Sequence, residues 1–285
     1  MKNHQLFFWM IVVLFNIKLP IEVKCQPVLE WENKFDLENR SDESFKMLLD
    51  NEGNIYNAGT SFNIFTKNEI VYFKLNSNGF QEWFQDVSNF YFDDITDYAI
   101  DGSNDLYVTG YYTDSFFYTN GFIQKTNSSG TYLWGDTTGF VVFESIAIDD
   151  SNNVYALYSD FAVGITKYDS SGQIKFNVRN DSTLNGNFVL PWIITLDPAN
   201  NIYVSGTSTL ESDDEYMLKK FSSGGNFLWG VTYNPTEEDD RPRFVSIDEY
   251  SNIYIYGVIG GGDPGQGVAL VKFDSSGNFL WDQQI

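Results

Sequence analysis

From about residue 45 onward the chain is a succession of short apolar runs separated by Gly, Asn, Asp and Ser, with apolar and polar residues alternating within each run. Alternation with period two, in segments rich in Ile, Val, Phe and Tyr, predicts β-strands, and no segment sustains a helical period. The clearest stretch, 268–281, reads as two strands joined by a tight turn, with Trp281 on the second. Variants of it run from Ile70 through Gly79 to Trp83, from Phe122 through Gly130 to Trp134, from Ile165 through Gly172 to Phe176, and from Met217 through Gly225 to Trp229. The rings recur 42 to 53 residues apart. A strand-only unit repeated at such a period predicts an all-β protein, a β-propeller of four-stranded antiparallel blades.

Each unit opens with an apolar strand ending in Asp: Asp50, Asp101, Asp149, Asp197 or Asp248. Six residues later comes Tyr56, Tyr107, Tyr155, Tyr203 or Tyr254 on a second strand; a variable loop, a third strand, a turn of Ser-Ser-Gly type and the Trp strand follow. The turns explain themselves, since an Asx side chain accepts backbone N–H groups two residues on and Gly supplies a positive φ. One large ring per unit predicts packing between neighbouring blades. Leu49, Ile100, Ile148, Leu196 and Ile247, each just before the terminal Asp, are expected in the core. Five blades of about 50 residues result, at about 36–86, 87–136, 137–179, 180–232 and 233–285, preceded by an extra strand at 28–35 that carries Trp31. Five units and one further Trp strand leave open a five-bladed ring with an added edge strand, an open arc, or an arc continued by a partner.

The strings Asp-x-x-x-Asn-Ile-Tyr-Val-x-Gly and Lys-Tyr/Phe-Asp-Ser-Ser-Gly-Asn-Phe-Leu-Trp resemble the SBBP ("seven-bladed β-propeller") repeats, best over 201–229 and 252–281 and least over 153–176, where Phe176 replaces Trp. The NHL repeat is similar over the Asn-Ile-Tyr strand, and the Gly-to-Trp spacing is similar to the tryptophan docking of quinoprotein propellers. The resemblance covers about 45–285 and implies the fold. The SBBP family has no single activity and no shared catalytic residues, so it implies no chemistry.

The first 25 residues read differently. Leu6 to Phe15 is a charge-free apolar run after Lys2 and His4, too short to span a bilayer comfortably, and 23–25 forms an imperfect cleavage site. A secretory signal at 1–25 and a propeller domain over 26–285 are expected, with a secreted, extracellular protein as the product. The chain's single Cys (Cys25) and single His (His4) lie in that segment. Cleavage after Cys25 removes both, excluding disulfides, His- or Cys-ligated zinc, Ser-His-Asp and Cys-His triads and His general bases. The net charge of −22 becomes −24 when three Lys and one Glu leave with the signal. Such charge argues against nucleic acid and against a polybasic membrane role. No membrane span and no cofactor are expected.

Strand parity puts the stereotyped turns on one face and the variable loops on the other, where binding usually resides. Those loops are read at 59–69, 111–121, 207–215 and 257–267, and at 86–95, 136–144, 180–191 and 233–242. The Gly-rich 257–267 lacks Gly-Lys-Ser/Thr and is no phosphate loop. Binding-face candidates are Tyr91, Tyr111, Tyr112 and Phe117. The acidic clusters there, including Asp213, Asp214, Glu215, Asp239 and Asp240, read as solvated loops, with a Ca²⁺ site or a basic protein partner as alternatives. Asn39, Asn127 and Asn180 head glycosylation sequons. The function expected is that of a secreted, non-catalytic binding or scaffold protein contacting a protein or glycan; an unpaired blade edge would invite self-association. The alternative is a carboxylate-based glycosidase at the central channel, with Asp97 and Glu144 as candidates on adjacent first strands although not at equivalent positions. A quinone enzyme rests only on the Trp spacing.

Overall fold

The computed structural model describes residues 41–62, 68–87, 92–160, 162–181, 183–184, 186–210, 213–236, 238–261 and 267–285. The chain divides into two compact units, Met1–Glu32 and Asn33–Ile285, and the described residues belong to the second. The extra strand at 28–35 and the signal segment lie outside them.

Blade 1 consists of β1 (Ser41–Leu49), β2 (Ile55–Phe62), β3 (Asn68–Leu75) and β4 (Gln81–Val87). Blade 2 follows with β5 (Phe92–Ile100), β6 (Leu106–Thr113), β7 (Thr119–Thr126) and β8 (Tyr132–Gly139). Blade 3 has β9 (Val142–Ile148), β10 (Val154–Ser159), β11 (Val163–Tyr168) and β12 (Ile174–Asn180). Blade 4 has β13 (Phe188–Leu196), β14 (Ile202–Leu210), β15 (Asp213–Phe221) and β16 (Phe227–Tyr233). Blade 5 has β17 (Arg241–Ile247), β18 (Ile253–Ile259), β19 (Gly267–Phe273) and β20 (Phe279–Gln284). Within each sheet every strand pairs antiparallel with the next in sequence. The first strands pack side by side in the order β1, β5, β9, β13, β17 and so lie innermost. The described residues form a β-propeller fold of five four-stranded blades.

One row of side chains crosses every blade. Tyr, Lys and an outer ring stand opposite one another on the second, third and fourth strands: Tyr56, Lys74 and Trp83; Tyr107, Lys125 and Trp134; Tyr155, Lys167 and Phe176; Tyr203, Lys220 and Trp229; Tyr254, Lys272 and Trp281. Each ammonium lies 4.4–5.3 Å from the centroid of its Tyr ring, within cation–π range. Each Tyr meets the outer ring edge-on at 5.9–6.3 Å. The six-residue Asp-to-Tyr spacing has its cause here, since Tyr107, Tyr155, Tyr203 and Tyr254 donate their phenol groups to Asp101, Asp149, Asp197 and Asp248 at 3.2–3.3 Å. Tyr56 reaches instead to the Asn104 carbonyl of blade 2, at 3.1 Å.

The outer ring also makes the seam to the next blade. A Cβ built on Gly130 would lie 2.8 Å from Trp83; on Gly172, 2.7 Å from Trp134; on Gly225, 3.1 Å from Phe176; and on Gly277, 2.9 Å from Trp229. These glycines thus satisfy two demands at once, a φ of +83 to +86° and room for an aromatic face. The indole N–H groups of Trp83 and Trp134 donate to the carbonyls of Ser128 and Ser170, at 3.0 and 3.2 Å. Between blades lie the cores, where Tyr56, Tyr107, Tyr155, Tyr203, Tyr98, Phe143, Ile95 and Leu106 are fully buried.

Three expectations need correction. Ile100, Ile148, Leu196 and Ile247 are half-buried and pack against the cores they share with the preceding blade, whereas Leu49, in the first described blade, is exposed. The variable loops are shorter than read, since the hairpin ladders run on through polar residues: β6 and β7 pair out to Thr113 and Thr119, and β14 and β15 out to Leu210 and Asp213. Trp281 does not sit in a seam and is 41% exposed.

The two classes of ring should respond differently to truncation. Trp229→Ala is expected to destabilise the fold by about 2–4 kcal/mol in urea melts, and Trp281→Ala by about 1 kcal/mol or less. Gly172→Ala, strained in φ and pressed on Trp134, is expected to cost about 1–3 kcal/mol.

Candidate functional site

The first strands begin on the variable-loop face, and each carries one bulge near that end: between Ser44 and Met47, between Ile95 and Asp97, at Glu144, between Pro191 and Ile193, and between Pro242 and Phe244. The bulged position lies five residues before the terminal Asp in every blade and holds a different residue type each time: Phe45, Thr96, Glu144, Trp192, Arg243. A bulge re-aims side chains at a sheet edge, here the inner edge of the propeller.

Polar groups gather there from blades 1 to 4. Lys46 forms an ion pair with Asp97. The other Asp97 oxygen accepts from the Ser145 hydroxyl at 2.8 Å and the Ile146 N–H at 3.0 Å. Ser145 Oγ in turn accepts the Ile194 N–H at 3.5 Å. The Thr96 hydroxyl donates to the Phe143 carbonyl at 2.5 Å. Nearer the loops, Asp94 accepts from the Thr60 hydroxyl at 2.6 Å and from the Tyr111 phenol at 3.4 Å. Glu144 joins none of these bonds, and burial pushes its carboxyl up to about 7. The Tyr111 phenol is pushed up by burial and then by the charges of Asp94 and Glu144, so the three groups lie within electrostatic reach of one another. Trp192 is half-buried and Arg243 exposed.

Of the residues singled out from sequence, Tyr91 lies outside the described residues. Tyr111 belongs to the inner polar cluster. Tyr112 lines a separate cleft of about 220 Å³ between blades 1 and 2, with Ile70, Val87, Tyr132 and Asp136. Phe117 stands apart from both. It is the third residue after Asp114 in a turn built like the Asp274 turn, with Asp114 Oδ1 accepting the Phe116 and Tyr118 N–H groups at 2.8 and 3.0 Å. A glycine position is thus filled by an aromatic at φ +64°, and Phe140, at φ +65°, packs edge-on against Tyr118 at 5.2 Å. Phe116, Phe117, Tyr118 and Phe140 are all exposed.

The acidic candidates draw two loops together. Asp239 accepts the Asp214 N–H at 3.2 Å, and both flank Arg241 at 3.9 and 3.6 Å. Buried Asp240 accepts the Thr236 N–H and hydroxyl, both at 2.9 Å, and the Gly260 N–H at 3.0 Å. Asp213 accepts the Asn234 amide at 3.1 Å, and Glu215 is buried. Among the described residues no group of three or more His, Cys, Asp or Glu is arranged to hold a metal. Asn39 is outside the described residues. Asn127 closes its own turn, accepting from Ser129 and Thr131. Asn180 accepts a hydrogen bond at 2.9 Å from Lys219, a fully buried lysine whose ammonium burial pushes down to about 8.

Two features escaped the sequence reading. The lysines of the aromatic row recur at fixed register and needed only the same position-by-position comparison that found the tyrosines. The inner-edge cluster carried a weaker signal, a position that changes chemistry in every repeat.

No family model matches the chain, and no curated protein matches it. Solved structures do share the fold. A neuraminidase-like protein of A/little yellow-shouldered bat/Guatemala aligns at TM-score 0.51 and 11% identity, over 86% of this chain and 83% of that one. A polysaccharide lyase, an ulvan lyase bound to an oligosaccharide, aligns at 0.56 and 12%, over 90% and 71%. The Dos1 propeller aligns at 0.51 and 10%, over 85% and 57%. In the described residues no helix is long and apolar enough to cross a membrane.

Glu144 gives the site a pH signature. Its folded-state carboxyl binds a proton more readily than in the unfolded chain, so its contribution to stability is fully present below about pH 4.5, is lost as pH rises from there to about 7, and is constant above. Glu144→Gln is expected to match the parent in urea melts at pH 4.5 and to exceed it at pH 8, by an amount on the order of 1–3 kcal/mol.

Proposed function

We propose that this propeller is a secreted, non-catalytic binding protein that takes a carbohydrate at the loop-face end of its axis. One observation carries the reading: the inner edges of successive blades bring together Lys46, Asp94, Asp97, Tyr111 and Glu144, with Glu144 left without a hydrogen bond and Trp192 at the equivalent bulge of blade 4. Hydroxyl-rich ligands are held by fixed carboxylate and phenol acceptors and donors together with an aromatic face, and a rigid β-scaffold places such groups without ordering cost. The exposed Phe116, Phe117, Tyr118 and Phe140 on the same face would widen the contact for a longer chain.

The test is a glycan array of neutral, uronate-containing and sialylated oligosaccharides, followed by calorimetry on the best ligand. Trp192→Ala and Glu144→Gln are each expected to weaken binding by about tenfold, in line with loss of a stacking contact or one hydrogen bond. Absence of any glycan ligand, or unchanged affinity in both variants, would rule the reading out.

A second reading follows from Glu144 specifically. A carboxyl protonated near neutrality, beside carboxylates such as Asp94, has the makings of a general acid for glycoside cleavage. Turnover of the array ligand should then decline as pH rises through about 7 and vanish in Glu144→Gln. A ligand bound but never cleaved leaves the non-catalytic reading standing.

A further inference from the structure

In blades 2, 3 and 4 a second row of side chains, two residues along from the aromatic row, is covered by the following blade. In blade 2 it comprises Asp97, Thr109, Ile123 and Asp136; in blade 3, Ser145, Leu157, Ile165 and Val178; in blade 4, Ile193, Ser205, Leu218 and Val231. Thr109, Leu157 and Ser205 have no exposed surface, and Ile123, Ile165 and Leu218 at most 1%. Blade 5 carries the same row as Phe244, Tyr256, Leu270 and Gln283. Here Phe244 is 69% exposed, Tyr256 40% and Leu270 36%, with Trp281 beside them. Two strands of this face bear larger aromatics than any other blade has at those places: Phe244 where others have Lys46, Asp97, Ser145 and Ile193, and Tyr256 where others have Ala58, Thr109, Leu157 and Ser205. The Phe244 and Tyr256 rings lie 6.3 Å apart. A repeat face that no neighbour covers is ordinarily polar; the outer face of blade 5 is apolar and aromatic instead.

We propose that this face of blade 5 is a docking surface for a further four-stranded blade of the same repeat type, beyond the five described. The occupant's chemistry is set by continuity with the seams already in the molecule. Trp229 rests on a left-handed glycine at the end of an Asx turn, and Trp83 and Trp134 do the same while donating their indole N–H to the carbonyl two residues before that glycine. Trp281, held edge-on to Tyr254 at 6.3 Å as its counterparts are held, presents a ring already oriented for such a seat. The partner blade therefore offers a glycine turn to Trp281 and apolar second- and third-strand side chains to Tyr256 and Leu270. It does not lean on the carbohydrate reading, because the face lies across the blade and not at the loop-face end of the axis.

The probe is the full chain with a second copy of residues 234–285 appended after Ile285, compared with the same chain in which the appended copy of Gly277 is replaced by Val. Hydroxyl-radical footprinting with mass spectrometry reads the original Trp281 in the peptide that crosses the junction. Docking predicts at least a fivefold fall in its oxidation in the glycine version, a higher melting temperature, and loss of both effects in the valine version. Unchanged oxidation with the appended copy folded, as judged by exchange-protected amides in its strands, overturns the proposal. So does a parent chain that sediments as a dimer and becomes monomeric on Trp281→Ala, because a second copy would then be the occupant.

Discussion

The structure depends on a contact made five times within blades and four times between them: an outer-strand ring wedged against a tyrosine on one side and a glycine turn on the other. Within blades 2 to 5 the terminal Asp fixes the phenol, and in every blade the phenol's ring carries a lysine over its face and the lysine stands beside the outer ring. Between blades, the same ring fills the space that a missing Cβ leaves. A blade of four short strands has little core of its own, so its apolar surface must be buried by a neighbour. The ring and the glycine fix how that neighbour sits. Asp, Tyr, Lys, Gly and Trp recur in step because each position has a partner in the same row or the next blade.

Freedom remains where the row does not reach. At the inner edge the bulge turns one residue per blade out of the regular ladder, and it is there that the chain places Thr96, Glu144, Trp192 and Arg243 in turn. Neighbouring positions interlace the blades through Lys46, Asp97 and Ser145, a polar counterpart to the outer ring seams. Glu144 is the exception within this group, since it is desolvated without gaining a donor. A half-buried carboxyl with no hydrogen-bond donor gains nothing to offset its desolvation. The same holds for Phe117 on the loop face, since an exposed aromatic in a left-handed conformation gains nothing from burial to offset its strain.

Much of the repeat was legible because its demands are local. Gly130, Gly172, Gly225 and Gly277 were readable as turn residues from spacing alone, and the outer rings as seam residues from their once-per-unit recurrence. The lysines were overlooked because a charged residue on a strand reads as solvent-facing, whereas Lys125 and Lys220 are buried over tyrosine rings. Leu49 misled for the converse reason: apolar character predicts burial only if something lies opposite, as the preceding blade does for Ile100, Ile148, Leu196 and Ile247 but not for Leu49.

The candidate site was harder. Asp97 and Glu144 drew notice as carboxylates on adjacent first strands, but one is bound on both oxygens and the other bears none of those bonds, a difference no spacing reveals. Sequence alone determined the strand pattern, the turns, the number of units and the fixed spacing of Asp and Tyr, because these arise from backbone geometry and from neighbours a fixed number of residues away. Which carboxylate gains donors, which aromatic is covered and which blade carries an exposed apolar face were decided only by the tertiary structure, because burial and hydrogen bonding there depend on residues about 50 positions distant, brought together when one blade packs on the next.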